Sequence, residues 1–153
     1  MSLFDKINED LKKAMKAREK EKLEAIRAVK TAFLLAKSDK GATAVLTEDE
    51  ELKIIQKLVK QRNESAKIYK SQNRNDLYER EILEAQVISG YLPRQLSGEE
   101  LTKLLLNIIQ SVGASGIRDM GKVMGVATKE LAGKAEGKMI AAKVKELLGQ
   151  ETK

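Results

Sequence analysis

Four lysines, Lys53, Lys57, Lys60 and Lys67, recur at spacings of four, three and seven residues. At about 100° per helical residue such spacings return to one side of a helix, and a row of cations on one face is placed to track the phosphates of a polyanion. Arg62 stands near the edge of that row, and Arg27, Lys30 and Lys37 precede it in the chain. A second candidate is "GASGIRDMGKVMG", residues 113–125, in which Gly121 and Gly125 lie one helical turn apart, with Arg118 and Lys122 flanking the surface they leave. Two glycines so spaced leave a flat helix surface that a nucleic-acid backbone or another helix can approach closely. A third is Arg74 in "NRNDL", read either as a clamp for phosphate or carboxylate or, the expected role, as a partner of the nearby Glu79, Glu81 and Glu84. The plainer reading of the lysines themselves is a solvated face, since glutamate and aspartate are interleaved with them.

The missing residue types narrow the chemistry. The 153 residues contain no cysteine, no histidine and no tryptophan. Disulfides, thiolate nucleophiles, imidazole bases and nearly every transition-metal site are thereby excluded, so the expected metal and cofactor set is none. The glycine segment does not satisfy the G-x-x-x-x-G-K-[ST] pattern and no strand leads into it, which argues against a nucleotide cradle. Ser65 with Lys67 nearby has no nucleophile elbow around it. Aromatic side chains on which unstacked bases could lie are few: Phe4, Phe33, Tyr69, Tyr78 and Tyr91. An RNA contact made through lysine and arginine is therefore the leading expectation. A protein adaptor that docks through Met120, Met124 or exposed leucines is the alternative, and a stand-alone enzyme comes third.

These residues need helices to position them, and the composition supplies helices. Hydrophobic residues make up 42% of the chain, charged ones 34% and aromatic ones only 3%, with no useful run of strand alternation. The pattern predicts an all-α protein. Leu3, Ile7, Leu11 and Met15 mark a first helix over 3–18, after which "KAREKEKLE" either bends or runs on into a second helix with Leu23, Ile26, Val29 and Phe33 inside. Thr47 followed by four acidic residues starts a long third helix reaching about Ser71, apolar on one side and basic on the other. Asn75 or Asp76 is placed to cap a fourth helix, which Gly90 can stop in a left-handed conformation.

Pro93, the only proline, follows at once, and four residues later Ser97 and Glu100 form a capping box for a fifth helix. A sixth helix carries Met120, Val123, Met124 and Leu131 and ends at Gly133; a seventh carries Met139, Ile140, Val144, Leu147 and Leu148 and closes at Gly149. Pro93 thus divides the chain into an N-terminal basic helical domain of about four helices, 1–92, and a small C-terminal three-helix domain, 93–153. The net charge of +6 is uneven: residues 1–80 hold 19 basic against 14 acidic residues, the remainder 10 against 9. The N-terminus has no basic stretch followed by an apolar run, and no apolar stretch approaches membrane-spanning length, so the expected place is the cytoplasm, with no membrane partner.

Taken in order, "MSLFDKINEDLKKAMKAREKEKLEAIRAVKTAF", "LVKQRNESAKIY", "NRNDLYEREI", "GYLPRQLSGEEL", "GASGIRDMGKVMGV" and "GKAEGKMIAAKVKELL" closely resemble the GatB/YqeY family, specifically its stand-alone YqeY-like proteins. The match covers nearly the whole chain. It departs in "SQNRNDLYEREILEAQ", where members are usually more acidic and carry a glycine before the arginine, and at Glu136, where aspartate is usual. The resemblance implies an N-terminal helical domain and a C-terminal three-helix domain. Related segments form the tail of the GatB subunit of the tRNA-dependent amidotransferase, which amidates Glu-tRNA(Gln) or Asp-tRNA(Asn); that tail contacts tRNA while the chemistry lies elsewhere in the complex. The family description of carbon–nitrogen ligase activity with glutamine as amido-N-donor finds no machinery among these residues. Carried over residue by residue, the resemblance points to Lys60 and Arg62 in "KQR", Arg74, Arg118, Gly121, Lys122 and Gly125, beside Lys53 and Lys57 from the lysine row. The expected partners are tRNA or another structured RNA, with an amidotransferase or aminoacyl-tRNA synthetase as protein partner.

Overall fold

The computed structural model describes residues 1–41 and 43–151, with side chains described through residue 149. Among the described residues the protein is all-α, with seven α-helices, one short 3-10 turn and no strand. Two compact units follow one another, Met1–Leu92 and Pro93–Lys153.

The first unit holds α1 (Leu3–Ala17), α2 (Lys20–Lys40), α3 (Glu48–Ser71) and α4 (Asn75–Ser89). Ser2 caps α1 in a reciprocal box with Asp5, each satisfying an amide that the first helical turn leaves without a partner. The chain then stops rather than running on. Arg18 takes a left-handed φ of 58°, and the amides of Arg18 and Glu19 bond back to Met15 and Ala14, so "KAREKEKLE" is a bend between two helices. Ala14 is buried and Met15 is 53% exposed, so the inward stripe of α1 runs Leu3, Ile7, Leu11, Ala14 in place of the expected Met15. Ile7, Ala14, Ala25, Ile26, Val29, Phe33, Ile55 and Ile88 form the core, at roughly 1.5–3 kcal/mol for each large apolar side chain removed from water.

α4 starts differently from the sequence expectation. Asn73 supplies a left-handed turn with φ of 58°, Arg74 occupies the cap position without a side-chain cap bond, and Asn75 is already helical. Gly90 at the far end is right-handed, with φ of −60°, so it does not act as the expected left-handed stop. The helix ends instead in a turn in which Tyr91 and Leu92 donate their amides to Ile88 and Ser89, with the Tyr91 hydroxyl donating to Asp10 at 2.7 Å.

The second unit holds α5 (Gly98–Val112), a 3-10 turn (Ile117–Asp119), α6 (Met120–Glu130) and α7 (Gly137–Glu151) around Leu101, Leu105, Ile108, Ile109, Val123, Ala127, Leu131, Ile140, Val144 and Leu148. The Ser97–Glu100 box is present, and Arg94 grips the same Glu100 carboxylate with both terminal nitrogens. The Leu96 amide donates to the Lys134 carbonyl and the Gln95 side chain to Gly133, fastening the entering chain to the turn before α7. Gly133, with φ of +74°, makes that turn, three residues beyond the helical end of α6 at Glu130. Gly149 lies inside α7, which does not close there. Among the described residues no helix is long and apolar enough to cross a membrane.

Candidate nucleic-acid interface

The lysine row stands on α3, a 24-residue helix whose start is fixed by its first turn. Thr47 accepts the Glu50 amide at 3.2 Å while Glu50 accepts the Thr47 amide at 2.7 Å, and Glu48 to Glu51 lie at the positive end of the helix dipole. Lys40 of α2 binds the same Glu50 at 2.9 Å, holding its carboxyl below the ordinary value. Leu52, Ile55 and Ala66 face the core. Lys53, Lys57 and Lys67 project from the opposite side, exposed, over about 21 Å of helix at 1.5 Å per residue. Among the described residues none of these three has an ion-pair partner. Lys60 is half-buried and engaged with neighbouring groups.

Three arginines of this unit, Arg62, Arg74 and Arg80, are committed within the fold. Arg62 turns towards α4, its Nε 3.3 Å from the Glu84 carboxylate, with 22% and 14% of the two side chains exposed. The contact is an ion pair without a hydrogen bond at Nε. Burial raises the pKa of neighbouring Glu81, Glu84 adds to that, and the Arg62 charge offsets part of it. Arg74 bonds Asp76 through two 3.3 Å contacts, a different acid from the three expected by sequence. Arg80 pairs with Glu24 of α2. Of the three α2 cations that the sequence singled out, Lys37 lies 5.0 Å over the Phe4 ring, Lys30 is half-buried, and Arg27 is exposed.

In the second unit the 3-10 turn leads directly into α6. Asp119 accepts the Ser115 amide at 2.9 Å and its hydroxyl at 3.4 Å, which fixes the turn and lowers the Asp119 pKa, chiefly through the amide bond. Val123 and Ala127 are buried, and Met120 and Met124 pack against the same core. Those two methionines are partly buried against the core, which leaves only part of each side chain for a docking partner. Gly121 and Gly125 lie on the outer face, where an added Cβ would meet nothing within 4 Å. Arg118 and Lys122 flank them, exposed and without an ion pair among the described residues. The sequence reading missed Lys129, which is exposed and sits seven residues after Lys122, hence on the same flank. That spacing was the available signal. Each unit thus carries its own row of free cations; the first has side chains on a rigid helix, the second a bare backbone between cations.

A model of the family described as Yqey-like protein matches residues 4–148, nearly the whole chain. The chain belongs to that family. Among curated relatives, the Yqey-like chain is 28% identical over 155 residues to "Altered inheritance of mitochondria protein 41, mitochondrial" of Pyrenophora tritici-repentis (strain Pt-1C-BFP), covering 96% of its own length and 81% of the relative. It is 33% identical over 116 residues to the protein of the same name in Clavispora lusitaniae (strain ATCC 42720), covering 74% of its own length and 66% of that relative. Both of these Yqey-like relatives are named as mitochondrial proteins.

Proposed function

We propose that this Yqey-like chain is an RNA-binding module whose ligand is tRNA or another structured RNA, acting in the cytoplasm beside a tRNA-dependent amidotransferase or an aminoacyl-tRNA synthetase and not as a ligase by itself. Support comes from the outer face of α6. A glycine inside a helix costs roughly 0.5–1 kcal/mol relative to alanine. Gly121 and Gly125 both incur that cost where no neighbouring atom of the fold needs the space. A bare backbone flanked by Arg118 and Lys122 suits an approaching phosphate chain, which binds main-chain and cationic groups together.

The test is saturation binding of total tRNA to the purified full chain, beside Lys122→Ala and Gly121→Leu/Gly125→Leu variants. An added Cβ at either glycine meets no atom within 4 Å, and circular dichroism checks that the leucine variant keeps its helix content while the approach is blocked. Affinity is expected to fall about tenfold or more in the leucine variant, equivalent to 1.4 kcal/mol or more. Unchanged affinity in both variants would overturn the proposal. A partner captured after nuclease treatment, and lost with the leucines, would mean that the face receives a protein helix instead.

A further inference from the structure

The five aromatic side chains of the chain all lie in the first unit, and none is fully exposed. Phe33 is fully buried, and Phe4 stacks on it at 6.4 Å with Lys37 over its ring. Tyr91 gives its hydroxyl to Asp10, and Lys6 lies 5.8 Å from its ring. Tyr78 has Lys70 at 5.4 Å, and Tyr69 is half-buried on the inward side of α3. Recognition of single-stranded RNA depends on such rings, at about 1–3 kcal/mol per stacked base. Here no ring stands on the outer face of α3 that carries the lysines, and none lies in the second unit.

We infer that the outer face of α3 docks the backbone of double-helical RNA, through Lys53, Lys57 and Lys67, without reading sequence; this rests on the RNA-binding reading of the preceding subsection. An A-form helix hides its bases in a deep major groove and presents phosphates and 2′-hydroxyls along its outside. Those groups call for cations on a stiff support and for neutral hydrogen-bonding side chains. α3 supplies both: three exposed lysines in a row about 21 Å long, interrupted by the exposed Glu64, with the exposed amides of Gln61 and Asn63 on either side. Both strands of a duplex crowd their phosphates together, so the charge density facing a straight cationic row exceeds that of a flexible single strand.

The experiment compares binding of a double-stranded RNA and of a single strand with the same length and base composition, at several salt concentrations. The proteins are the full chain and its Lys53→Ala/Lys57→Ala/Lys67→Ala variant. Alanine favours helix at exposed positions, so the variant keeps its helix content, which circular dichroism checks. The expected result is tighter binding to the duplex and a log–log salt slope shallower by about 3 in the variant, one counterion set per lysine removed. If RNA binds but the single strand binds equally well, or the slope is unchanged in the variant, the duplex inference is overturned while the RNA-binding reading survives. Failure of the unaltered chain to bind either RNA would remove both.

Discussion

Glu51 is 7% exposed, the one charged side chain buried among the described residues. Burial raises its pKa above the usual carboxylate value, Glu48 adds to the effect, and the Phe4 amide offsets part of it. The folded state therefore holds its proton at pH values where the unfolded chain has released it. Stability contributed at this site is present below the ordinary carboxylate pKa and declines as pH rises through the interval up to the folded value. Glu51→Gln should remove that decline, seen as a flatter pH profile of unfolding free energy in urea titrations. Arg62 is the other residue whose role depends on its surroundings. Removing its charge leaves Glu84 and Glu81 close together and poorly hydrated. Arg62→Ala is expected to destabilise the fold by about 1–3 kcal/mol, while the salt dependence of RNA binding stays as it was. As one basic residue in "KQR" it was indistinguishable from Lys60 by sequence, because the Glu84 carboxylate that claims it lies on another helix.

At the scale of elements, helix starts were the most legible features. Thr47 with Glu50 and Ser97 with Glu100 act through residues three positions apart, so their boxes are written in contiguous sequence. Stops were harder. Gly90 and Gly149 looked like terminators, yet one is right-handed and the other lies within α7. A glycine permits a left-handed turn without requiring it, and the packing of the following residues decides. The glycines of α6 give the prediction at this level. Gly121→Ala and Gly125→Ala should each raise stability by roughly 0.5–1 kcal/mol, measured by denaturant unfolding of the full chain, because the added methyl groups meet no atom within 4 Å. A loss of stability would show that the bare face is needed by the fold itself.

For the whole molecule, the net charge of +6 is an unreliable guide to where a polyanion would sit. Four of the 19 basic residues of the first unit are neutralised locally, in the Arg62–Glu84, Arg74–Asp76, Arg80–Glu24 and Lys40–Glu50 pairs. Lys53, Lys57 and Lys67 on α3, with Arg118 and Lys122 by α6, are free of such pairs. If all five meet phosphates, the affinity for tRNA should vary with salt at a log–log slope of roughly −4 to −5. A slope near −1, measured by fluorescence anisotropy across a salt series, would mean that most of these cations remain in water when RNA binds.

The sequence by itself determined the all-α class, the family and the placing of Lys53, Lys57 and Lys67 on one side of a helix. Each depends on local periodicity or on contiguous motifs, which a helix repeats every three to four residues. Only the tertiary structure decided which cations are free. An arginine and a carboxylate far apart in the chain neutralise each other when packing brings their helices together, as Arg80 and Glu24 do, and no spacing along the chain records that meeting. The same holds for the partial burial of Met120 and Met124 and for the placing of the aromatic rings, since burial is a property of neighbours in space.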